Sequence, residues 1–190
     1  MAEDLRVQKT KRALRAALLD LMKEKPIDAI TTTELCRRAE VNRNTFYAHY
    51  SSPFLLLQTI EDEYISEVLS MVEETTRHED YETMLRTVCL SIHENRELTA
   101  LLFSGNGDRS YLDRVVWVTH ERVMEIWKNS DTRLPQEDLE LLYNYVTFSV
   151  RECIVRWTKD GFTIPPEELA RKLTNMTEVL MAHYMAKESI

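Results

Sequence analysis

Between Thr31 and Tyr50 the chain reads TTTELCRRAEVNRNTFYAHY, and its candidate chemistry is concentrated there. Asn42, Arg43, Asn44 and Thr45 follow one another, all polar and three of them short. Side chains of these types read the edges of bases. Arginine forks onto the O6 and N7 of guanine, asparagine onto the N6 and N7 of adenine, and a threonine methyl meets the methyl of thymine. Arg43, Asn44 and Thr45 are therefore candidate base readers. Tyr47 and His49 lie further along, where their polar tips would donate to phosphates. Thr32 and Thr33, at the opening of the stretch, complete the candidate DNA-facing set.

Such residues read DNA only if a helix presents them end-on, and the flanking sequence builds one. Thr31-Thr32-Thr33-Glu34 has the form of a capping box, in which Thr31 caps a helix and Glu34 reaches back to it. Leu35, Cys36 and Ala39 give that helix a short apolar stripe. A tight turn follows around Glu40-Val41, and Asn42 is a good cap for a next helix reaching about His49. Val41, Phe46 and Tyr50 fall on the face opposite the polar residues and are expected to pack on Leu35, Ala39 and Leu18. Two short helices and a turn, the second helix opening on small polar residues, form a helix-turn-helix.

The rest of the chain reads as helix after helix. Of 190 residues, 44% are apolar and only 3 are glycine and 5 proline, which disfavours sandwiches, barrels and disorder. A first helix is expected over Thr10–Lys25, with Leu14, Ala17, Leu18 and Leu21 on its buried face and Pro26 as its stop. Ser52-Pro53 opens a long helix to about Arg77. Further helices are expected near 80–94, 97–103, 109–129, 135–160 and 165–187, with Gly161 ending the penultimate one. The fold class is all-α, a three-helix domain over 1–52 followed by a larger helical domain over 53–190.

Charge separates the same two parts. The formal net charge is -8. Residues 1–50 nonetheless hold ten Lys/Arg against seven Asp/Glu, and the remaining 140 hold fourteen against twenty-five. A basic end on an acidic body points to two tasks, one of them binding nucleic acid.

Other chemistry is not supported. Gly105-Asn106-Gly107 lacks the third glycine and the preceding strand of a phosphate cradle. His78-Glu79-Asp80 and His93-Glu94 have no metal-ligand spacing, so no metal or cofactor is expected. No Ser-His-Asp or Cys-His arrangement appears, and the chain is read as a non-enzyme. Cys36, Cys89 and Cys153 are far apart, an odd count that favours a reducing, cytoplasmic setting, and all three are read as small core residues. No 18-residue apolar run spans a membrane, and Met1-Ala2-Glu3-Asp4 does not open a signal peptide.

The stretch ITTTELCRRAEVNRNTFYAHYSSPFLLL, from Ile30 to Leu57, resembles the TetR family of bacterial transcriptional regulators. The matching positions are Thr31, Ala39, Val41, Thr45, Phe46, Tyr47, His49 and Tyr50. Two positions depart from the family pattern. Glu40 stands at the turn glycine, where a left-handed backbone would cost roughly 1 kcal/mol, so a different turn is expected. Pro53 stands at a common lysine and removes one phosphate contact. That second departure leaves open a rival reading, an adaptor that senses a ligand or partner protein and does not bind DNA alone. The stretch CIVRWTKDGFTIPPEELA resembles a branch of the family described as dihydroxyacetone-kinase regulator-like.

The resemblance implies a homodimeric repressor that places two recognition helices on a palindromic operator, released when the body binds a small-molecule effector. The sequence is compatible with such a body. Leu139, Leu142, Val146, Val150, Cys153 and Trp157 form one stripe on the helix at 135–160, and Leu141, Tyr145, Phe148 and Val155 form another. Leu169, Leu173, Met176, Leu180 and Tyr184 line the helix at 165–187. By resemblance these two helices form a four-helix bundle with those of a second chain. Candidate effector walls are Met71, Tyr81, Leu85, Trp117, Met124, Trp127, Tyr143 and Phe148. No glycine interrupts the chain between Asn42 and Arg77, so a shift of the helix from Pro53 is expected to carry the DNA-reading head with it.

Overall fold

The computed structural model describes residues 2–75, 81–129 and 134–187, and within them all side chains except those of 2–4, 75, 129 and 184–187. Tyr184, Arg77 and the His78-Glu79-Asp80 run lie outside the described side chains. All regular structure among the described residues is helical: α1 (Ala2–Glu24), a single 3-10 turn (Ile27–Ala29), α2 (Thr32–Ala39), α3 (Arg43–Tyr47), α4 (Pro53–Thr75), α5 (Tyr81–Glu94), α6 (Arg96–Leu102), α7 (Tyr111–Asn129), α8 (Gln136–Lys159) and α9 (Pro166–Lys187). No described helix is long and apolar enough to cross a membrane.

Most boundaries fall where the punctuation places them. Pro53 is the first residue of α4, and the Ser52 hydroxyl accepts from the Leu55 amide at 3.2 Å. Gly161 takes φ 77° just beyond α8, the left-handed geometry that glycine adopts freely. Two ends differ. α1 begins at Ala2 instead of Thr10, because the Thr10 hydroxyl donates to the Arg6 carbonyl within the helix and does not cap it. α3 stops at Tyr47 instead of His49, since the His49 and Tyr50 amides both turn onto the Phe46 carbonyl.

The helices gather into two compact units, Met1–Ile65 with Ala100–Tyr111, and Ser66–Thr99 with Leu112–Ile190. The dividing points lie inside α4, inside α6 and after the first residue of α7, where the expected boundary was the loop at 52–53.

In the first unit Leu14, Leu18, Leu21 and Met22 of α1, Leu35 of α2, Phe46 of α3 and Leu56, Leu57 and Ile60 of α4 are buried. The loop after α6 closes this unit. The Asn106 side-chain amide donates to the Met22 carbonyl at 2.9 Å, and the Ile27 amide donates to the Asn106 carbonyl at 2.9 Å. The Met22 carbonyl is one of the last of α1, left without an intrahelical donor, and the Ile27 amide is a leftover donor at the start of the 3-10 turn. Gly107 is tight against this loop: a Cβ there would come 3.1 Å from the Leu102 carbonyl oxygen.

In the second unit the core is a cluster of Val72, Met84, Val116, Val123, Met124, Ile126, Trp127, Leu139, Leu142, Tyr143 and Val146. α5 and α9 pack along each other. Cys36 and Cys89 are buried, but Cys153 is exposed and is not a core residue. The buried stripe of α8 runs from Val146 to Ile154 and Trp157, which leaves Cys153 one step off it. The second stripe read from the sequence is likewise outside the core. Leu141, Tyr145 and Phe148 are exposed, and only Val155 is buried. On α9, Leu169 and Leu173 are buried and Met176 is exposed.

Candidate nucleic-acid interface

α2 is fixed at both ends. Thr31 caps it from an extended backbone, its hydroxyl accepting from the Glu34 amide at 3.2 Å. The Glu34 carboxylate also receives Lys25 Nζ at 2.6 and 2.7 Å. The Lys25 ammonium, aided by the Thr31 backbone, holds the Glu34 carboxyl below its ordinary range. Further along α2, Arg38 pairs with Asp20 and Glu24 of α1. These exposed pairs contribute little each, about 0–1 kcal/mol, but both run from α2 to the end of α1.

The turn keeps the shape that glycine would give it. Glu40 takes φ 55° and ψ 37°, a left-handed conformation, while its amide donates to the Arg37 carbonyl. The expectation of a different turn is therefore corrected: the strained backbone is accepted. The Val41 amide then donates to the Cys36 carbonyl at 3.0 Å, which satisfies another end of α2 and sets the entry of α3.

Asn42 caps α3, its side-chain oxygen accepting from the Asn44 amide at 2.8 Å. Phe46 is fully buried at 0% exposure and acts as the peg that orients the helix. Arg43, Asn44 and Thr45 consequently face solvent. Thr33 is exposed, whereas Thr32 and His49 are half-buried. The His49 ring stands 6.3 Å from the Tyr50 ring. Every residue of the DNA-facing set thus lies on α2, on α3 or in the turn after it.

Tyr47 behaves in a way that its sequence position did not foretell. It is 50% exposed, its ring packs edge-on against Phe46 at 5.5 Å, and the Arg43 guanidinium carbon lies 5.9 Å from the ring centroid. The Arg43 guanidinium and the Thr32 hydroxyl act on the Tyr47 hydroxyl, and both pull the phenol below its usual range. In return Tyr47 favours the charged guanidinium. The i, i+4 spacing of Arg43 and Tyr47 is the only sign of this in the sequence, and Thr32 has none.

Of the candidate effector walls, Met124, Trp127 and Tyr143 belong to the buried cluster of the second unit, Tyr81 packs against it, and Leu85 is buried. The Tyr81 and Trp127 rings are 6.0 Å apart, and the Tyr143 hydroxyl donates to the Val116 carbonyl at 2.6 Å. Burial pushes the Tyr81 phenol up to about 12. Met71 is half-buried. Trp117 and Phe148 are corrections: they are 79% and 42% exposed and line no interior. On α7 the buried residues include Val116, Val123, Met124 and Trp127, and Trp117 is not among them. His93, one of the histidines beside an acid, stacks on Trp157 at 6.2 Å.

Comparison with known proteins agrees with this architecture. The family described as "Bacterial regulatory proteins, tetR family" matches residues 14–52, and "Transcriptional regulator C-terminal region" matches residues 79–179. The uncharacterized HTH-type transcriptional regulator YxbF of Bacillus subtilis (strain 168) is 26% identical over 186 residues, covering 93% of this chain and 46% of that protein. The chain therefore spans about half the length of this curated relative. A TetR transcriptional regulator from Streptococcus agalactiae 2603V has the same fold, with a TM-score of 0.73 at 22% identity over 93% of this chain and 98% of that one. The dihydroxyacetone kinase operon activator DhaS matches with a TM-score of 0.63 at 16% identity over 91% of this chain and 96% of its own. With both family regions in place on an all-α fold and a helix-turn-helix at residues 32–47, the chain belongs to the TetR family of DNA-binding transcriptional regulators.

Proposed function

We propose that the chain is a repressor that binds a palindromic operator as a homodimer and is released by a small-molecule effector held in the second unit. The observation that carries this reading is the first turn of α3, where Arg43, Asn44 and Thr45 face solvent above a fully buried Phe46. Arg43, Asn44 and Thr45 read bases, while Thr33 and His49 meet phosphates. Exposed apolar side chains support the dimer: Leu141, Tyr145 and Phe148 on α8, and Met176 and Val179 on α9. A second copy placed on them buries surface that a lone chain leaves in water.

The effector is proposed to lie against the aromatic cluster of Tyr81, Trp127 and Tyr143, beside Leu85 and Met124. α4 runs unbroken from Pro53 to Thr75, so a ligand that displaced its second half would change the separation of the two heads. Two α3 helices must meet successive major grooves about 34 Å apart, and a change of a few ångströms removes one set of contacts. The effector can act only through its differential affinity for the two spacings, and operator DNA then weakens effector binding by the same factor.

The test is selection from a pool of random duplexes by the purified chain, followed by transcription from a promoter carrying the selected site. The expected product is an inverted repeat with half-sites one helical turn apart. DhaS is named an activator, so the second step reads the sign. Transcription that falls when the chain is added supports repression, and transcription that rises overturns it. A dimeric chain that enriches no sequence is an adaptor, not a DNA reader.

A further inference from the structure

The side chain best placed to read a guanine does not stand alone on α3. Arg43 lies over the ring of the residue one turn later, 5.9 Å from the Tyr47 centroid, and within the range of a cation–π contact. The Arg43 guanidinium and the Thr32 hydroxyl both favour the charged form of the Tyr47 hydroxyl. Tyr47 in turn is held by Phe46, whose ring meets it edge-on at 5.5 Å and is itself fully buried. A half-exposed tyrosine thus connects the core peg of α3 to the arginine.

We propose that Tyr47 sets which base Arg43 reads by fixing the direction of its guanidinium, so that Tyr47 is a positioning residue for specificity and not only an anchor on a phosphate. This rests on Arg43 reading a base, as proposed above. The physical basis is the cost of ordering. A free arginine must surrender its rotamer freedom on docking, whereas a guanidinium already held on one side loses less. The guanidinium carries five N–H donors in a planar fork, so contact with one phenol oxygen leaves donors for the O6 and N7 of a guanine.

The two roles of Tyr47 separate in experiment. A phosphate contact carries no sequence information, so its loss weakens every duplex alike. Loss of positioning weakens the preferred duplex more than the others. Random-duplex selection is carried out with the wild-type chain, Arg43→Ala and Tyr47→Phe. Tyr47→Phe keeps the ring and removes only the hydroxyl, at a half-exposed site where the fold is not at risk. The expected result is that Arg43→Ala makes one position of each half-site degenerate, and that Tyr47→Phe lowers the preference at that same position by about two- to tenfold. Tyr47→Phe added to Arg43→Ala should change the preference no further.

If Tyr47→Phe lowers affinity for all sequences equally and leaves the preference intact, the hydroxyl is a phosphate contact and the proposal fails while DNA reading stands. If Arg43→Ala itself leaves every position unchanged, Arg43 reads no base and both readings of it fail. A wild-type chain that selects no sequence overturns both the DNA reading and this proposal.

Discussion

Asn106 holds Met22: across 84 residues of sequence, its side-chain amide donates to the carbonyl of a residue in the last turn of α1, at 2.9 Å. Its own carbonyl accepts from Ile27 just beyond that helix. One residue in the α6–α7 loop therefore satisfies groups on both sides of Pro26, where the helical ladder is interrupted. Asn106→Ala should lower unfolding stability by about 1 kcal/mol, the typical net worth of such a hydrogen bond. Urea titration measures it. Asn106→Asp keeps the shape and loses the donor, so it should cost at least as much; an unchanged midpoint in both variants would show that water replaces the amide without penalty.

Glu40 is a second place where stability can be moved by one residue. Its φ of 55° is left-handed, and glycine reaches that region without the clash of a Cβ. Glu40→Gly is expected to stabilise the chain by about 0.5–1 kcal/mol, since the relief exceeds the extra freedom gained by the unfolded chain. Thermal denaturation reads the change as a higher midpoint. A lower one would mean that the Glu40 side chain contributes more than its backbone costs.

The Lys25–Glu34 pair makes part of the stability depend on pH. The Glu34 carboxyl titrates below its ordinary 4.5 because Lys25 favours the charged form. A carboxyl depressed on folding contributes stability that is full above its unfolded value and is lost as the pH falls through the folded one. Glu34→Gln should therefore be less stable than wild type at pH 7, and the gap should narrow as the pH falls below 4.5. Denaturation midpoints of both proteins at pH 7 and pH 3.5 give the answer. A gap of constant size at both values would assign the effect of the substitution to something other than charge.

The proposed dimer gives a fourth expectation. Tyr145 and Val179 are exposed in the single chain, so charges there should spare its fold. Tyr145→Asp combined with Val179→Asp is expected to halve the mass measured by light scattering at micromolar protein, with helical content unchanged. Val150 and Leu180, half-buried against the core cluster, are poorer choices, because a charge at either would also disturb the chain's own interior. A mass that is already that of one chain in the wild type would rule the dimer out.

How far the sequence could be read depended on the range of the interactions involved. Caps and breakers act within a few residues. For that reason Thr31, Asn42, Ser52-Pro53 and Gly161 marked helix ends that the structure reproduces. Helical period separated Phe46 from Arg43, Asn44 and Thr45 for the same reason. Period alone did not tell which of two apolar stripes on α8 faces its own core, because both have the same spacing. Cys153 was therefore placed in a core that does not receive it, while Leu141, Tyr145 and Phe148 of the second stripe are exposed. Trp117 was misplaced likewise, its size taken as a sign of burial. The clamp of Asn106 on Met22 joins residues far apart in sequence, and no local pattern records it.

The assignment of Ala100–Tyr111 to the first unit bears on how regulators of this kind are recombined. A chimera that exchanges heads at residue 52, or at 65, would transplant α1 to α3 without the segment that holds the end of α1. The grafted head would meet a foreign α6–α7 loop, and the Met22 carbonyl and Ile27 amide would have to find new partners in it. A head swap between such proteins is thus a two-segment graft, in which residues 100–111 travel with residues 1–65.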